Sequence, residues 1–135
     1  MSRVSPHAAV DALLAAIESR DLRRIADQLT DDATWQNVPH PAAVGRDAVL
    51  ALLGPILTRS DRVVWDVVTA ATVGNDVMVE RVDRFWIDGT EHAVHCNGVF
   101  TVDTDTGLVA AVRDYVDLGE WRARIAPALA RQAGS

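Results

Sequence analysis

The sequence has one cysteine, Cys96, among 135 residues. That excludes an intrachain disulfide framework and any cysteine-rich zinc site. No apolar run reaches transmembrane length, and the first apolar stretch is interrupted by Asp11 without the basic-then-apolar order of a signal peptide. A cytoplasmic protein with no membrane partner is expected. Basic residues are outnumbered, 13 against 19 acids, and form no cluster; the formal net charge is -6. Such a balance disfavours nucleic acid as a partner. Also missing are a phosphate-cradling glycine loop, a dinucleotide fingerprint and a nucleophile elbow around Ser5, Ser19 or Ser60. The sequence has no internal repeat, linker or low-complexity segment. His92 and His95 fall on opposite faces of one strand, and no acidic cluster joins His7, His40 or either of them to complete a ligand set. Neither a metal nor a cofactor is expected.

What is present suits one domain over residues 1–135 with a sizeable core, since 49% of residues are hydrophobic and 24% charged. Ser5-Pro6 reads as a helix start, and Val10, Leu13, Leu14 and Ile17 recur at helical spacing. The pattern predicts helices over Pro6 to Arg20 and Leu22 to Gln28, a turn at Asp31-Asp32, and a short strand over Ala33 to Asn37. Val38-Pro39-His40-Pro41 is a loop, because each proline lacks an amide donor. Gly45-Arg46-Asp47 opens a third helix over about Asp47 to Leu57, with Gly54 and Pro55 near its end. Alternation then predicts four strands, Arg62 to Thr72, Asp76 to Ile87, Glu91 to Asp103 and Leu108 to Asp117, split by the turn compositions Gly74-Asn75, Asp88-Gly89 and Asp105-Thr106-Gly107. Short connections imply antiparallel neighbours. A terminal helix over Leu118 to Ala130 and a frayed tail over Arg131 to Ser135 close the chain. Helices followed by a meander predict an α+β fold, with a curved sheet wrapped by N-terminal helices into a one-ended cone around a small-molecule cavity.

The charged residues that interrupt apolar strand faces are the chemical signal. Val77, Val79, Arg81, Asp83 and Phe85 share one face of their strand. Asp114 sits on the face of Leu108, Ala110, Val112 and Val116, while Arg113 points the other way. Buried charges need partners, so Arg81 is expected between Asp83 and Asp114. Such a triad is either a structural ion network or a matched acid and base, titrating as a unit. Trp35 and Asn37 share a face of the early strand; Asn37 either positions a water against Asp114 or caps the turn before Val38-Pro39. His40 is expected to face solvent. Cys96 reads as a small buried hydrophobe. Trp65, Trp86 and Trp121 read as core or contact residues, which leaves Trp35 as the tryptophan of the site.

Five blocks, Trp35-Gln36-Asn37-Val38-Pro39, Gly45-Arg46-Asp47-Ala48-Val49, Glu80-Arg81-Val82-Asp83, Gly98-Val99-Phe100 and Arg113-Asp114-Tyr115-Val116-Asp117, resemble in order and spacing those of limonene-1,2-epoxide hydrolases. The resemblance runs from the first helix to about Glu120. It implies the nuclear transport factor 2-like (SnoaL-like) cone, a curved mixed sheet closed by helices, and a homodimer. It also implies roles. Asp114 becomes the base that activates water, Asp83 the acid that protonates a small epoxide, Arg81 their bridge, and Asn37 a holder of the water. Trp35, Val79, Phe85, Asn97 and Val99 become substrate-binding residues. The implied reaction is a single push–pull step with no cofactor and no covalent ester. Two departures bear on substrate choice. Trp35 stands where the family has tyrosine, and an indole can only donate. Asn97 replaces an aliphatic residue, and with His95 it makes its strand face polar, whether that face turns to the pocket or to solvent or a dimer contact. Readings of other classes are a SnoaL-like cyclase or ketosteroid-isomerase-like enzyme, and a non-catalytic binding module of the same fold.

Overall fold

A computed structural model of the chain describes residues 4–131. Helix α1 (Pro6–Ser19) starts with Pro6 in its first turn, where a missing amide costs nothing. Ser5 occupies the cap position but makes no side-chain cap bond. One face of α1 is buried through Val10, Leu13, Leu14 and Ile17, the i, i+3, i+4, i+7 stripe of an amphipathic helix. Arg20 ends the helix in the left-handed region at φ 61. Asp21 then caps α2 (Leu22–Ala26), accepting from the amides of Arg23 at 3.0 Å and Arg24 at 3.4 Å.

Strand β1 (Leu29–Asn37) leads to the loop of Val38-Pro39, a cis peptide, and a two-residue strand β2 (Ala43–Val44). Helix α3 (Arg46–Arg59) follows, then β3 (Arg62–Val73), β4 (Asp76–Ile87), β5 (Thr90–Asp103) and β6 (Leu108–Val116). The sheet order is β2-β1-β6-β5-β4-β3. The meander from β3 to β6 is antiparallel throughout, whereas β1 lies parallel to β6 and antiparallel to β2, so the sheet is mixed. It is curved and does not close on itself. Helix α1 packs across the inner faces of β3 to β6, and α3 packs on β1. The last elements described form a continuous helical segment: α4 (Leu118–Glu120), a π turn (Trp121–Ile125) and α5 (Ala126–Ala130).

Several expected boundaries move. Asp31-Asp32 is not a turn but an exposed part of β1, which begins at Leu29; the register against β6 slips between Leu29 and Thr34, and that irregularity absorbs the two acids. β2 has no strand signal of its own. α3 continues past Leu57 with Pro55 inside it. The carbonyl that a proline at 55 leaves free belongs to Ala51, which is exposed and can be solvated, while Thr58 and Ser60 hydroxyls donate to the carbonyls of Gly54 and Ile56 at 2.8 and 2.6 Å. The terminal helix is not a plain α-helix but carries the π turn. Arg131 is tied down rather than frayed, its carbonyl accepting from Arg59 Nη2 at 2.9 Å; the rest of the expected tail, 132–135, lies outside the described residues.

Candidate active site

β4 supplies the centre of the site. Its alternation buries Val77, Val79, Arg81, Asp83, Phe85 and Ile87, the inward face expected from the sequence. Arg81, Asp83 and Asp114 are 1%, 4% and 3% exposed, so all three charges have left water. β6 faces Asp114 inward and Tyr115 outward. Further back the parity changes: Val109 is buried instead of Leu108 and Ala110, because the β5–β6 register shifts between Thr101 and Val102.

Arg81 is the bridge between the two acids. Its Nε and Nη2 donate to Asp83 Oδ1 and Oδ2 at 2.7 and 3.1 Å. Its Nη1 and Nη2 donate to Asp114 Oδ1 and Oδ2 at 3.0 and 2.7 Å. The guanidinium thus forks onto both carboxylates at once, the bidentate geometry that a lysine cannot supply. Its Cζ lies 4.2 Å from the ring centroid of Trp65 and 5.7 Å from that of Phe100, so its faces are covered by aromatic rings while its edges carry the acids. Trp35 stands edge-on to Trp65 and to Phe100, each at 6.3 Å. These rings pack around the triad.

Burial and charge act on this cluster in opposite directions. Burial lowers the affinity of Arg81 for its proton, but Asp114 and Asp83 together outweigh it, and the guanidinium stays charged. Burial pushes the Asp83 carboxyl up to about 6 from an ordinary 3.8, against the opposing pull of Arg81. One guanidinium and two carboxylates are neutral as a set when one acid holds a proton, the state that a dry site favours. Cys96 lies beside Arg81 in the sheet register; burial, with Asp114 nearby, pushes its thiol well up, and it behaves as the inert hydrophobe expected.

Gly98 makes the pairing possible. It lies on β5 between Val79 of β4 and Asp114 of β6. A Cβ on Gly98 would come within 2.5 Å of Arg81 Nη1, 2.5 Å of Asp114 Oδ1 and 3.0 Å of Phe100 Cε1. Any side chain there would occupy the place where the two charges meet.

The acids open onto a cavity of about 390 Å³ between the sheet and the helices. Asp83 and Asp114 are its polar floor, with Asn37, Trp35 and Phe85 beside them. Asn37 neighbours Asp114 in the parallel pairing of β1 with β6. The turn that follows is held by the Asn37 carbonyl, which accepts from the His40 amide at 2.7 Å and lies 3.2 Å from His40 Nδ1. The Asn37 side chain makes no hydrogen bond with any described residue, so it does not cap that turn. Leu53 and Ile56 of α3, Val94 of β5 and Trp121 of the π turn form apolar walls. The described residues contain no group of three or more acids, histidines or cysteines able to hold a metal ion.

Three expected substrate-binding residues lie elsewhere. Asn97 and Val99 face outward, because β5 buries Val94, Cys96, Gly98, Phe100 and Val102 and its odd positions point away from the cone. Val79 points inward as expected but is 3% exposed within the core and does not line the cavity. His95 shares the outer face; its Nδ1 and amide each lie 2.8 Å from Glu120 Oε1, which ties the terminal segment to β5. The sequence reading also missed lining residues. Trp65 lies on the inner face of β3 with Val63, an alternation that was legible. His40 does reach the rim while remaining exposed. Trp121 and Arg122 reach the cavity only through the docking of the terminal segment, for which no local signal exists.

Residues 4–124 match the family described as limonene-1,2-epoxide hydrolase catalytic domain. Among solved structures, an LEH-like epoxide hydrolase of M. tuberculosis is similar at 26% identity, TM-score 0.75, over 87% of this chain and 86% of that one. A putative SnoaL-like polyketide cyclase from Shewanella denitrificans shares the fold at 11% identity, TM-score 0.79, over 89% and 96% of the two chains. The epoxide hydrolase/cyclase-like enzyme SalBIII shares it at 18% identity, TM-score 0.72, over 85% and 92%.

Proposed function

We propose, because this chain belongs to the limonene-1,2-epoxide hydrolase family, that its cavity adds water to a small epoxide and releases a vicinal diol. The observation that carries this reading is the pair of buried acids on one guanidinium, both opening onto the same apolar cavity. Asp114 is the base and Asp83 the acid. Asn37, with its amide uncommitted and next to Asp114, holds the water. In one step Asp114 takes a proton from water, and the water oxygen bonds to an epoxide carbon. The carbon–oxygen bond at that carbon breaks, and its electron pair stays on oxygen, which takes the proton of Asp83. Asp114 ends protonated and Asp83 ionised, so the total charge on Arg81's two partners is the same before and after. Asp114 then gives its proton to solvent and Asp83 takes one from solvent, which restores the starting state. Trp35 can only donate, so it cannot assist in deprotonating the water.

A proton-abstracting isomerase can also use a protonated second acid, as a donor to an enolate oxygen, but it does not require one guanidinium bridging that acid to the base, so the bridging Arg81 favours the hydrolase. We further propose a homodimer formed through the outer sheet face, where Ala71, Met78, Val99 and Arg113 lie in register beside Tyr115. Met78 and Tyr115 are 50% and 52% exposed there, an apolar surface that a second copy would cover.

Asp114→Asn and Asp83→Asn are each expected to lower diol formation by about 100-fold or more, the usual size of a general acid or base contribution. The assay is single-turnover hydrolysis of cyclic and meso epoxides in isotopically labelled water, with excess enzyme. Label in the diol from the first turnover fits direct water attack. Unchanged turnover in either variant removes the assigned roles.

A further inference from the structure

The cavity has two chemically distinct ends. At the floor, Asp83 and Asp114 are buried and paired. At the rim, the exposed lining residues are His40, Leu52 and Arg122. Arg122 belongs to the π turn, and it makes no hydrogen bond or ion pair with any described residue. Its neighbour Arg124 behaves differently, being held by Glu120 at 2.9 Å and by the Ala93 carbonyl at 3.2 Å. Arg59, Arg84 and Arg46 are likewise engaged by Asp88, Asp66 and Asp31. The walls between floor and rim are apolar, with Leu53, Ile56 and Trp121 among them. The other ionisable group at the rim, His40, has its Nδ1 occupied by the Asn37 carbonyl. A cation at the rim, hydrocarbon walls and a proton-transfer pair at the floor describe the outline of an amphiphile.

We infer that the substrate is an epoxide on a compact hydrocarbon body carrying a carboxylate at the end remote from the epoxide, and that Arg122 receives this carboxylate. The inference deepens the hydrolase reading and rests on it for the fate of the epoxide. A guanidinium fork matches a planar carboxylate with two parallel hydrogen bonds. The whole chain is acidic, at a formal net charge of -6, so long-range steering does not bring an anion in. Recognition has to be local, at the one rim cation that has its fork free among the described lining residues. Pulling the carboxylate to the rim also orients the molecule, since the opposite orientation would bury an anion against Asp83 and Asp114.

The test compares an epoxycyclohexane carboxylate with the corresponding neutral carboxamide, in the native protein and in Arg122→Gln and Arg122→Lys. The native protein is expected to prefer the carboxylate in kcat/KM by about tenfold, the size of a charge-assisted hydrogen bond at a partly solvated site. Arg122→Gln is expected to bring the ratio to about one through KM, and Arg122→Lys to restore part of it. Equal kcat/KM for the two substrates in the native protein, or a ratio that survives Arg122→Gln, overturns the inference while leaving the hydrolase reading in place. Calorimetric binding of cyclohexane carboxylate against cyclohexane carboxamide separates the two claims. Carboxylate-selective binding that is lost in Arg122→Gln, with no epoxide turned over, supports the rim site and sinks the hydrolase. Binding without selectivity sinks the rim site.

Discussion

Gly98 shows how a single residue controls the site by what it lacks. It sits in a central strand, paired on both sides, so the backbone has little room to retreat. Gly98→Ala places a methyl 2.5 Å from Arg81 Nη1 and from Asp114 Oδ1. The expected result is a loss of roughly 1–3 kcal/mol in stability, the scale of overpacking, together with a fall in turnover as the fork opens. Denaturant unfolding and kcat measure the two effects. Gly54→Ala is the control: its nearest neighbour is Leu22 at 3.7 Å and it lies in α3, so the change is expected to be neutral or stabilising. In an Asp114→Ala background the stability penalty at Gly98 is expected to shrink, because Arg81 can then move. A full penalty in that background would place the clash elsewhere than the ion pair.

Elements matter here through the direction in which each strand presents its residues. β5 gives its even positions, Val94 to Val102, to the interior and its odd ones, including Asn97 and Val99, to the outer face. That parity removes Asn97 and Val99 from the substrate list and places them on the surface proposed for the dimer. Met78→Glu, at the centre of the in-register row, is expected to turn a dimer into a monomer with the fold retained. Light scattering with circular dichroism checks both halves of that statement. A native protein that runs as a monomer at micromolar concentration excludes the proposed interface.

For the whole molecule, the buried triad couples folding to pH. The Asp83 carboxyl titrates at about 6 when folded, against 3.8 ordinarily, so between those values the folded chain holds a proton that the unfolded chain has released. Stability from this group is therefore greatest below pH 3.8 and declines as pH rises to about 6, with no further change above. At full strength the difference is roughly 3 kcal/mol, since each tenfold gain in proton affinity is worth about 1.4 kcal/mol. Other acids impose their own slopes; Glu120 and Asp88 are held below the ordinary carboxylate range, Glu120 by the His95 amide and Asp88 by Arg59, and both favour the fold as pH rises. The measurement is thus native against Asp83→Asn stability from pH 4 to pH 7, in which the native protein is expected to lose stability relative to the variant as pH increases. In the proposed mechanism this is the proton that Asp83 donates, so hydrolysis is expected to fall above about pH 6. A pH-independent difference would mean that the proton resides elsewhere in the triad.

Alternation alone was enough to face Arg81, Asp83 and Phe85 inward on β4 and to separate the four meander strands, because period two and turn residues are local properties of the chain. The same logic brings Asp114 to the interior, and the need of a buried charge for a partner ties it to Arg81. β2 and the inclusion of Asp31-Asp32 in β1 were not legible, since both depend on what β1 pairs with across the sheet. Nor could local pattern say which face of β5 meets the cavity, as both faces carry apolar residues and only the packing of α1 against the sheet chooses between them. The rim of the site depends entirely on long-range docking. Trp121 and Arg122 become lining residues because the terminal segment folds back over the open end, held by Glu120 on His95 and by Arg59 on the Arg131 carbonyl. The sequence by itself thus determined the buried charged triad, through the cost of burying charge on an apolar face. Only the tertiary structure decided what surrounds them, because a cavity wall is assembled from segments that are distant along the chain.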